Sequence, residues 1–182
     1  SVDCNGNATL DSCEISNQPL NQWASSVIAF SSQYSAGSWS AARALGEPDT
    51  FEYGDSASSW APGPANGTLE FLVLAFETPV YATGVIVRET WGNGFVYQID
   101  VLDTADALHV VWTGTDSSLP GTAVDFQLGW AATPFLVKGV KIYVDTNHNT
   151  GTWEEIDAVR LLGNVFRGAD CNVNTILDEC EL

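Results

Sequence analysis

The sequence predicts an all-β protein, an antiparallel β-sandwich or jelly roll with a short separate segment at each end. Two observations lead to this fold class. Short runs rich in Val, Ile, Phe and Tyr follow one another through most of the chain, and turn residues such as Gly, Pro and Asn separate them. The only helix-like stretch is the short segment Ala41–Leu45. Many short strands with frequent turns are typical of sandwiches and jelly rolls, so we expect this architecture.

The individual strands can be placed from these runs. The predicted strands are Leu69–Glu77, Val80–Glu89, Phe95–Asp103, Leu108–Thr113, Ala123–Leu128, Val137–Asp145 and Ile156–Gly163. Turns are predicted at Thr78-Pro79, Gly92-Asn93-Gly94, Leu119-Pro120-Gly121 and Asn147 to Gly151. A long irregular stretch, residues 46–67, precedes the first strand. Loops of this length inside a compact domain are usually functional.

Composition and charge limit the partners of the chain. Its 182 residues are 45% hydrophobic and include seven Trp, enough for one domain with a sizeable core. The 23 acidic residues against six basic ones give a net charge of −17, which repels nucleic acid phosphates and anionic lipid. No apolar run approaches the roughly 18 residues that a membrane span needs. We therefore expect no nucleic acid partner and no membrane insertion.

The chain begins and ends with one repeated pattern. The segment Asp3 to Ile15 reads DCNGNATLDSCEI, and Asp170 to Leu182 reads DCNVNTILDECEL. Oxygen-bearing side chains recur at places 1, 3, 5, 9 and 12, with a backbone carbonyl expected at place 7, which is the ligand spacing of a calcium loop. The alternative is an Asn/Asp-rich turn without metal. The predicted Ca²⁺ ligands are Asp3, Asn5, Asn7, Thr9, Asp11, Glu14, Asp170, Asn172, Asn174, Ile176, Asp178 and Glu181.

All four cysteines lie in these two terminal segments, an arrangement that favours disulfides and an oxidising compartment. Three pairings are possible. We favour Cys4–Cys13 with Cys171–Cys180, each closing its own loop, while the alternative joins one terminal segment to the other. On this basis the protein is expected to be secreted or to lie at a cell surface.

Several motifs resemble those of one fold family. SSQYSAGSWSAARALGEPD, WAPG, EFLVLAFETPV, GVIVRETWGNGFV and WEEIDAVRLLG follow in the order of a discoidin-like, galactose-binding-type β-sandwich, over about Ser25 to Gly163. The terminal segments resemble the single calcium loops of dockerins or thrombospondin type-3 repeats in secreted bacterial proteins. The resemblance implies three parts: a calcium-loop segment over residues 1–18, the sandwich over 19–166, and a second calcium-loop segment over 167–182.

The resemblance also implies two sites within the sandwich. A structural calcium in related domains lies between an early loop and the last strand, which here implies Asp49, Asp55 and Glu155 as ligands. A solvated acidic loop is the alternative. Sugar-binding relatives use aromatic side chains in loops, and the corresponding candidates are Trp91, Asn93, Trp39, Tyr53 and Trp130. The alternative for each Trp is packing in the core, as we expect for Trp112.

No catalytic function is expected, because two isolated histidines offer no triad and no nucleophile elbow is present. Three hypotheses remain. The first is a calcium-binding structural or adhesion module that assembles head to tail, with copies of itself or with neighbouring modules, into a filament or surface array. The second is a carbohydrate-binding module for an uncharged glycan, and the third is a calcium-rigidified spacer. Asn66 is a candidate glycosylation site.

Overall fold

The computed structural model describes residues 19–165. The predicted calcium ligands of both terminal segments and all four cysteines lie outside this range. The calcium loops and the disulfides therefore stay predictions.

The described part of the chain is almost entirely β-structure. One short 3-10 helix, Ala41–Ala44, is the only helix within residues 19–165, and none of these residues forms a helix long and apolar enough to cross a membrane. The strands are β1 (Gln22–Trp23), β2 (Ser26–Phe30), β3 (Leu69–Trp91), β4 (Val96–Asp103), β5 (Leu108–Thr113), β6 (Val124–Gly129), β7 (Leu136–Asp145) and β8 (Glu155–Asn164).

The long strand β3 connects the two layers of the sandwich. Its first half pairs with β2 and β7, and β7 continues through β4 to β5. Its second half pairs with β8 and β6, and β8 pairs in turn with β1. All of these pairings are antiparallel. The expected antiparallel β-sandwich is confirmed, with one strand shared between its two layers.

The turn predicted at Thr78-Pro79 is wrong, because β3 runs through it without a break. The register against β7 shifts between Ala75 and Val80, so Pro79 falls in an irregularity where its missing N–H removes no ladder hydrogen bond. The side chain of Gln22 takes the place of a pairing strand: the Thr78 N–H donates to Gln22 Oε1 at 3.0 Å. This tertiary contact thus keeps the Thr78-Pro79 dipeptide extended, although its local sequence predicts a turn.

Aliphatic side chains from both layers fill the core, and Trp60 closes one end of it. Its side chain is fully buried, and its Nε1 donates to the Ser32 carbonyl at 3.2 Å. Its backbone exchanges two hydrogen bonds with Ile156, with N···O distances of 2.8 and 3.0 Å. The long loop over residues 46–67 is therefore held against the start of β8. Trp112, expected in the core, is partly buried and packs against it.

Close packing between strands predicts a sharp difference between two glycines that face each other. Gly84 on β3 pairs with Gly129 on β6. A Cβ at Gly84 would lie 2.4 Å from the backbone oxygen of Leu128, whereas a Cβ at Gly129 would meet no atom nearer than 3.9 Å. We expect Gly84→Ala to lower the free energy of unfolding by about 1–3 kcal/mol, because backbone must move to relieve the overlap.

Urea unfolding followed by circular dichroism measures this difference, and Gly129→Ala is the matched control. The control should change the stability by less than about 0.5 kcal/mol, since its new methyl group meets open space. Equal stabilities of the two variants would contradict the close approach of β3 and β6.

Candidate functional site

A small pocket opens at the end of the sandwich that Trp60 closes. Its volume is about 70 Å³, and three parts of the chain form it: the loop after β2, the long loop before β3, and the start of β8. The residues that line it are Tyr34, Trp39, Asp55, Ala61, Trp153 and Glu155. Aromatic rings and carboxyl groups therefore meet in one place, although they are far apart in the sequence.

Three aromatic rings form the apolar wall of this pocket. Tyr34 contacts Trp39 edge to face, with ring centroids 5.3 Å apart, and Trp153 in the same way at 5.6 Å. Such edge contacts are a favourable geometry for aromatic rings. Tyr34 remains 53% exposed, so about half of its surface is available to a ligand. Its two Trp neighbours restrict its orientation.

Trp39 has a strained backbone, with φ at +52°. This left-handed conformation is a genuine outlier for a bulky side chain and is kept only where surrounding contacts fix it. Here the Trp39 N–H donates to the Ala57 carbonyl and the Trp39 carbonyl accepts from Ala61, at 3.2 and 3.3 Å. Strain of this kind is concentrated at binding and catalytic sites, and here it positions an indole ring at the pocket.

Two carboxyl groups form the polar side of the pocket. The Trp39 indole Nε1 donates to Asp55 Oδ1 at 2.9 Å and to Glu155 Oε1 at 3.2 Å. Burial raises the pKa of Glu155 to about 8, an effect to which the charge of Asp55 adds and which the backbone N–H of Ser56 opposes. Glu155 is thus largely protonated at neutral pH. The pocket combines apolar rings with hydrogen-bonding groups.

A second pair of carboxyl groups lies beside the pocket. Asp157 is buried, and its Oδ2 accepts from the backbone N–H groups of Asp49 and Thr50 at 3.1 and 3.2 Å. Burial raises the pKa of Asp157 to about 6, and Asp49 adds to the effect. Asp49 therefore pairs with Asp157, whereas Asp55 pairs with Glu155. The three ligands predicted for one calcium ion, Asp49, Asp55 and Glu155, are divided between two pairs.

The chemistry of the Asp49–Asp157 pair nevertheless suits a hard cation. Asp157 Oδ1 is buried without a hydrogen-bond partner, and the hydroxyl groups of Thr50 and Ser58 lie 2.6 Å apart beside it. Every donor here is oxygen, as calcium prefers. Within residues 19–165 no three His, Cys, Asp or Glu side chains are arranged to hold a metal, so hydroxyls, carbonyls or water would complete the shell. Calcium binding in this part of the chain stays a prediction.

The predicted sugar-binding aromatics are distributed differently from expectation. Trp39 lines the pocket, whereas Trp91, Tyr53 and Trp130 do not. Trp130 packs against the core, and its Nε1 donates to the Ala82 carbonyl at 3.1 Å.

Asn93 has a structural role instead of a place at a ligand. It is fully buried, and its amide donates to the Leu119 and Thr122 carbonyls at 3.2 and 2.8 Å. These bonds hold the loop between β5 and β6 against the end of β3. Asn66 is exposed in the turn before β3, and its glycosylation stays a prediction.

Two aromatic residues of the pocket were missed by sequence reasoning, Tyr34 and Trp153. Tyr34 lies in a Ser-rich stretch that gives no signal of its own. For Trp153 a signal did exist. Alternate residues of an extended segment face the same side, so the spacing of Trp153 and Glu155 could have placed the indole beside the acid that was identified.

A buried acid lies behind the site, at the end of β3. Glu89 is fully buried, and its Oε2 accepts from the backbone N–H of Gly94 at 3.0 Å. Burial raises the pKa of Glu89 to about 10, and the hydrogen bond and charge of Asp116 contribute to the rise. Glu89 is therefore a protonated hydrogen-bond donor through the whole neutral range.

Solved structures with the same fold include carbohydrate-binding proteins. The family 32 carbohydrate-binding module from C. perfringens NanJ, in complex with galactose, has a TM-score of 0.56 and 12% identity, over 79% of this chain and 99% of that one. The lectin binding domain of Lectinolysin, complexed with Lewis b, has a TM-score of 0.53 and 16% identity, over 82% and 95%. These likenesses show the fold alone: the chain is an antiparallel β-sandwich of the kind found in these domains.

The same fold also occurs in a protein of different function. XRCC1 bound to the DNA polymerase β catalytic domain has a TM-score of 0.57 and 18% identity, over 78% of this chain and 98% of that one. Identities this low show the fold alone, which does not determine function. No curated protein sequence matches the chain. The family described as "Pappalysin-1, SD scarf domain, C-terminal" matches residues 11–172, and the chain belongs to this family.

The raised pKa of Glu89 predicts how stability depends on pH. Between about pH 4.5 and 10 the folded state holds a proton on Glu89 that the unfolded state releases. The contribution of Glu89 to stability is therefore largest below about pH 4.5 and decreases as the pH rises towards 10. Glu89→Gln should remove this loss, because the amide can still accept from Gly94 and donate to Asp116. Relative to the wild type, the free energy of unfolding of the variant should increase by up to about 1.4 kcal/mol for each pH unit in this window.

Unfolding curves at several pH values between 5 and 9 measure the effect. Glu77→Gln is the control, since Glu77 is exposed and the same change of charge should leave the pH dependence unaltered. If the free energy of unfolding depends on pH in the same way in the wild type and in Glu89→Gln, Glu89 does not hold its proton in the folded state.

Proposed function

We propose that this chain is a non-catalytic, extracellular glycan-binding module and that the pocket beside Tyr34 holds one sugar residue. The observation that carries the proposal is a half-exposed aromatic ring, flanked by two indoles, that faces two carboxyl groups across about 70 Å³. A sugar has an apolar face of C–H groups and a rim of hydroxyls. The rings match the apolar face, and Asp55 and Glu155 match the hydroxyls.

The charge of the site favours some sugars over others. The chain carries a net charge of −17, and Asp55 lines the pocket beside Glu155, whose raised pKa keeps it largely uncharged. Sulfated and uronic sugars would be repelled, both over a distance and at the contact. Uncharged sugars, or sugars with a protonated amino group, fit the pocket. A cationic amino group would also be attracted to the faces of the aromatic rings.

The size of the pocket limits the affinity. Typical ligand sites occupy roughly 300–1,000 Å³, several times the volume of this one. The pocket therefore holds only the edge of one sugar residue, such as the terminal residue of a glycan, and the rest of the glycan stays in solvent. We expect a dissociation constant on the order of 1 mM for one sugar unit, and tighter binding only where several copies act together.

Three further observations support the proposal. Two of the structures with the same fold were solved with carbohydrate bound, galactose and Lewis b. The family is named after a domain of pappalysin-1, and all four cysteines lie in the terminal segments, as suits an extracellular protein. Neither histidine lines the pocket: His109 pairs with Asp103 and His148 donates to the Asn93 carbonyl, each at 2.8 Å.

Truncation of the exposed ring tests the proposed site. Tyr34→Ala should weaken binding of uncharged or amino sugars by at least about tenfold, since it removes the ring surface on which the sugar would pack. Glycan array screening followed by titration calorimetry measures the loss. Uronic and sulfated sugars should not bind.

Phe51→Ala is the matched control, because Phe51 is an exposed aromatic residue, at 69%, of the long loop before β3 but does not line the pocket. It should leave the affinity unchanged. Equal affinities of Tyr34→Ala and the wild type would move the site elsewhere, and a chain that binds no glycan on the array would refute the function.

Calcium-dependent assembly is a second candidate function, and one sequence observation favours it. The same Asp-Cys-Asn-x-Asn segment occurs at both ends of the chain, with three acidic side chains at the ligand places of each copy. A cation site at each end would suit head-to-tail joining of neighbouring copies or modules. This role is compatible with glycan binding, because many weak sites in one array bind more tightly than a single site.

Particle size in calcium and after chelation tests the assembly role. Large particles in millimolar calcium should disperse on chelation, and Asp3→Ala or Asp170→Ala should prevent their formation, as light scattering can show. A monomer under both conditions would contradict assembly and would leave these segments the role of a spacer.

A further inference from the structure

The turn between β7 and β8 repeats the spacing of the terminal segments. Asp145, Asn147 and Asn149 alternate there as in the Asp-x-Asn-x-Asn pattern at both ends of the chain. This third copy contains no cysteine and lies within the described residues. The geometry of this copy is therefore described directly, and it does not depend on the proposed glycan site.

Hydrogen bonds organise the three side chains of this turn. Asp145 Oδ1 accepts from the Asn147 backbone N–H at 2.9 Å and from its side-chain amide at 3.0 Å. Asn147 Oδ1 accepts from the Gly67 N–H at 3.1 Å, so Asn147 ties the turn to the start of β3. Asn149 Oδ1 accepts from the Gly151 N–H at 3.2 Å. Asp145 Oδ2 receives no hydrogen bond from residues 19–165.

A buried acid follows this turn in the chain. Glu154 is fully buried, and neither of its carboxyl oxygens forms a hydrogen bond of normal geometry, although its own backbone N–H and that of Asn149 lie close enough to stabilise its charged form. The buried hydroxyl of Thr152 is unpartnered as well. Burial raises the pKa of Glu154 to about 8, and the charge of Asp145 adds to the effect while the Asn149 backbone N–H opposes it. The carboxyl group of Glu154 therefore lies against the turn that carries Asp145 and Asn149.

Buried polar groups normally find partners, and an unpaired buried carboxyl is costly. Glu154 and Thr152 leave three buried oxygens without a hydrogen bond of normal geometry, and the charge of Asp145 acts on the carboxyl group of Glu154. A cation bound by these oxygens and by Asp145 would satisfy them. His148 does not offer its Nε2 to a cation, because this atom donates a hydrogen bond to the Asn93 carbonyl at 2.8 Å.

We infer that the turn between β7 and β8 is a calcium site, with Asp145, Glu154 and Thr152 as side-chain ligands and Asn149 beside them. An all-oxygen donor set in an irregular turn suits calcium better than magnesium, which demands near-ideal octahedral geometry. Two carboxylates just balance the charge of the ion. With so few charged ligands we expect a dissociation constant of about 0.1–1 mM, as in extracellular calcium modules.

Glu154→Gln in the full chain tests this inference. The substitution keeps the shape of the side chain but removes its charge. The number of calcium ions bound per chain, measured by equilibrium dialysis, should fall by one. The rise in Tm on addition of about 10 mM calcium should be smaller than in the wild type by about 3–10 °C.

Chelated Glu154→Gln should be at least as stable as the wild type at pH 8, because a buried charge has been removed. This measurement separates loss of a ligand from damage to the fold. Should Glu154→Gln not fold, Asp145→Asn serves as the second variant, since Asp145 is only partly buried, and the same loss of one ion is expected.

Glu77→Gln is the control for the change of charge and should bind as many ions as the wild type. Unchanged calcium stoichiometry and an unchanged rise in Tm in Glu154→Gln would overturn the inference, and so would an equal loss in Glu77→Gln. Magnesium that raises the Tm as much as calcium would refute the assignment to calcium.

Discussion

The burial of acidic side chains where β8 begins is the constraint on which the rest of this structure depends. Glu154, Glu155 and Asp157 are almost completely buried within four residues, and Glu89 joins them from the end of β3. A carboxyl group that is buried in this way must keep its proton, accept hydrogen bonds from several N–H groups, or coordinate a cation. Each of the three outcomes occurs or is proposed here. Glu89 keeps its proton, Asp157 accepts from two backbone N–H groups, and Glu154 is proposed to meet calcium.

These acids also explain how the loops are held. The long loop over residues 46–67 contains no regular structure, yet its backbone donates to Glu155 through Ser56 and to Asp157 through Thr50. Trp60 adds a backbone bridge to β8 at Ile156, between these two acids. The contacts that satisfy the buried carboxyl groups therefore also fix the loop. The loop in turn holds Trp39, whose strained backbone places its ring in the wall of the pocket. Stability at this end of the sandwich and the shape of the site have one physical origin.

The sequence was sufficient for the strands but not for the arrangement of the site. The runs rich in β-branched and aromatic residues placed β4, β5, β7 and β8 within a few residues of their observed bounds, because turn residues delimit each run. The short strands β1 and β2 were missed, since β2 is mostly exposed and lacks a buried pattern. Asp55 and Glu155 were placed together as calcium ligands, but the grouping of Trp39 with them was not predicted. That grouping depends on a left-handed Trp39 and on the bridge from Trp60, which are tertiary contacts without a local signal.

Trp153 connects the two sites inferred at this end of the molecule. It lies directly between Thr152 and Glu154 in the sequence, the two residues proposed as calcium ligands, while its ring packs against Tyr34 in the pocket. A cation that orders this turn would also fix the ring on which a sugar is proposed to pack. Binding free energies at two sites that share an ordered element are coupled, and the coupling is reciprocal. Calcium bound at the turn would thus increase the affinity of the pocket for glycan, and bound glycan would increase the affinity for calcium by the same factor.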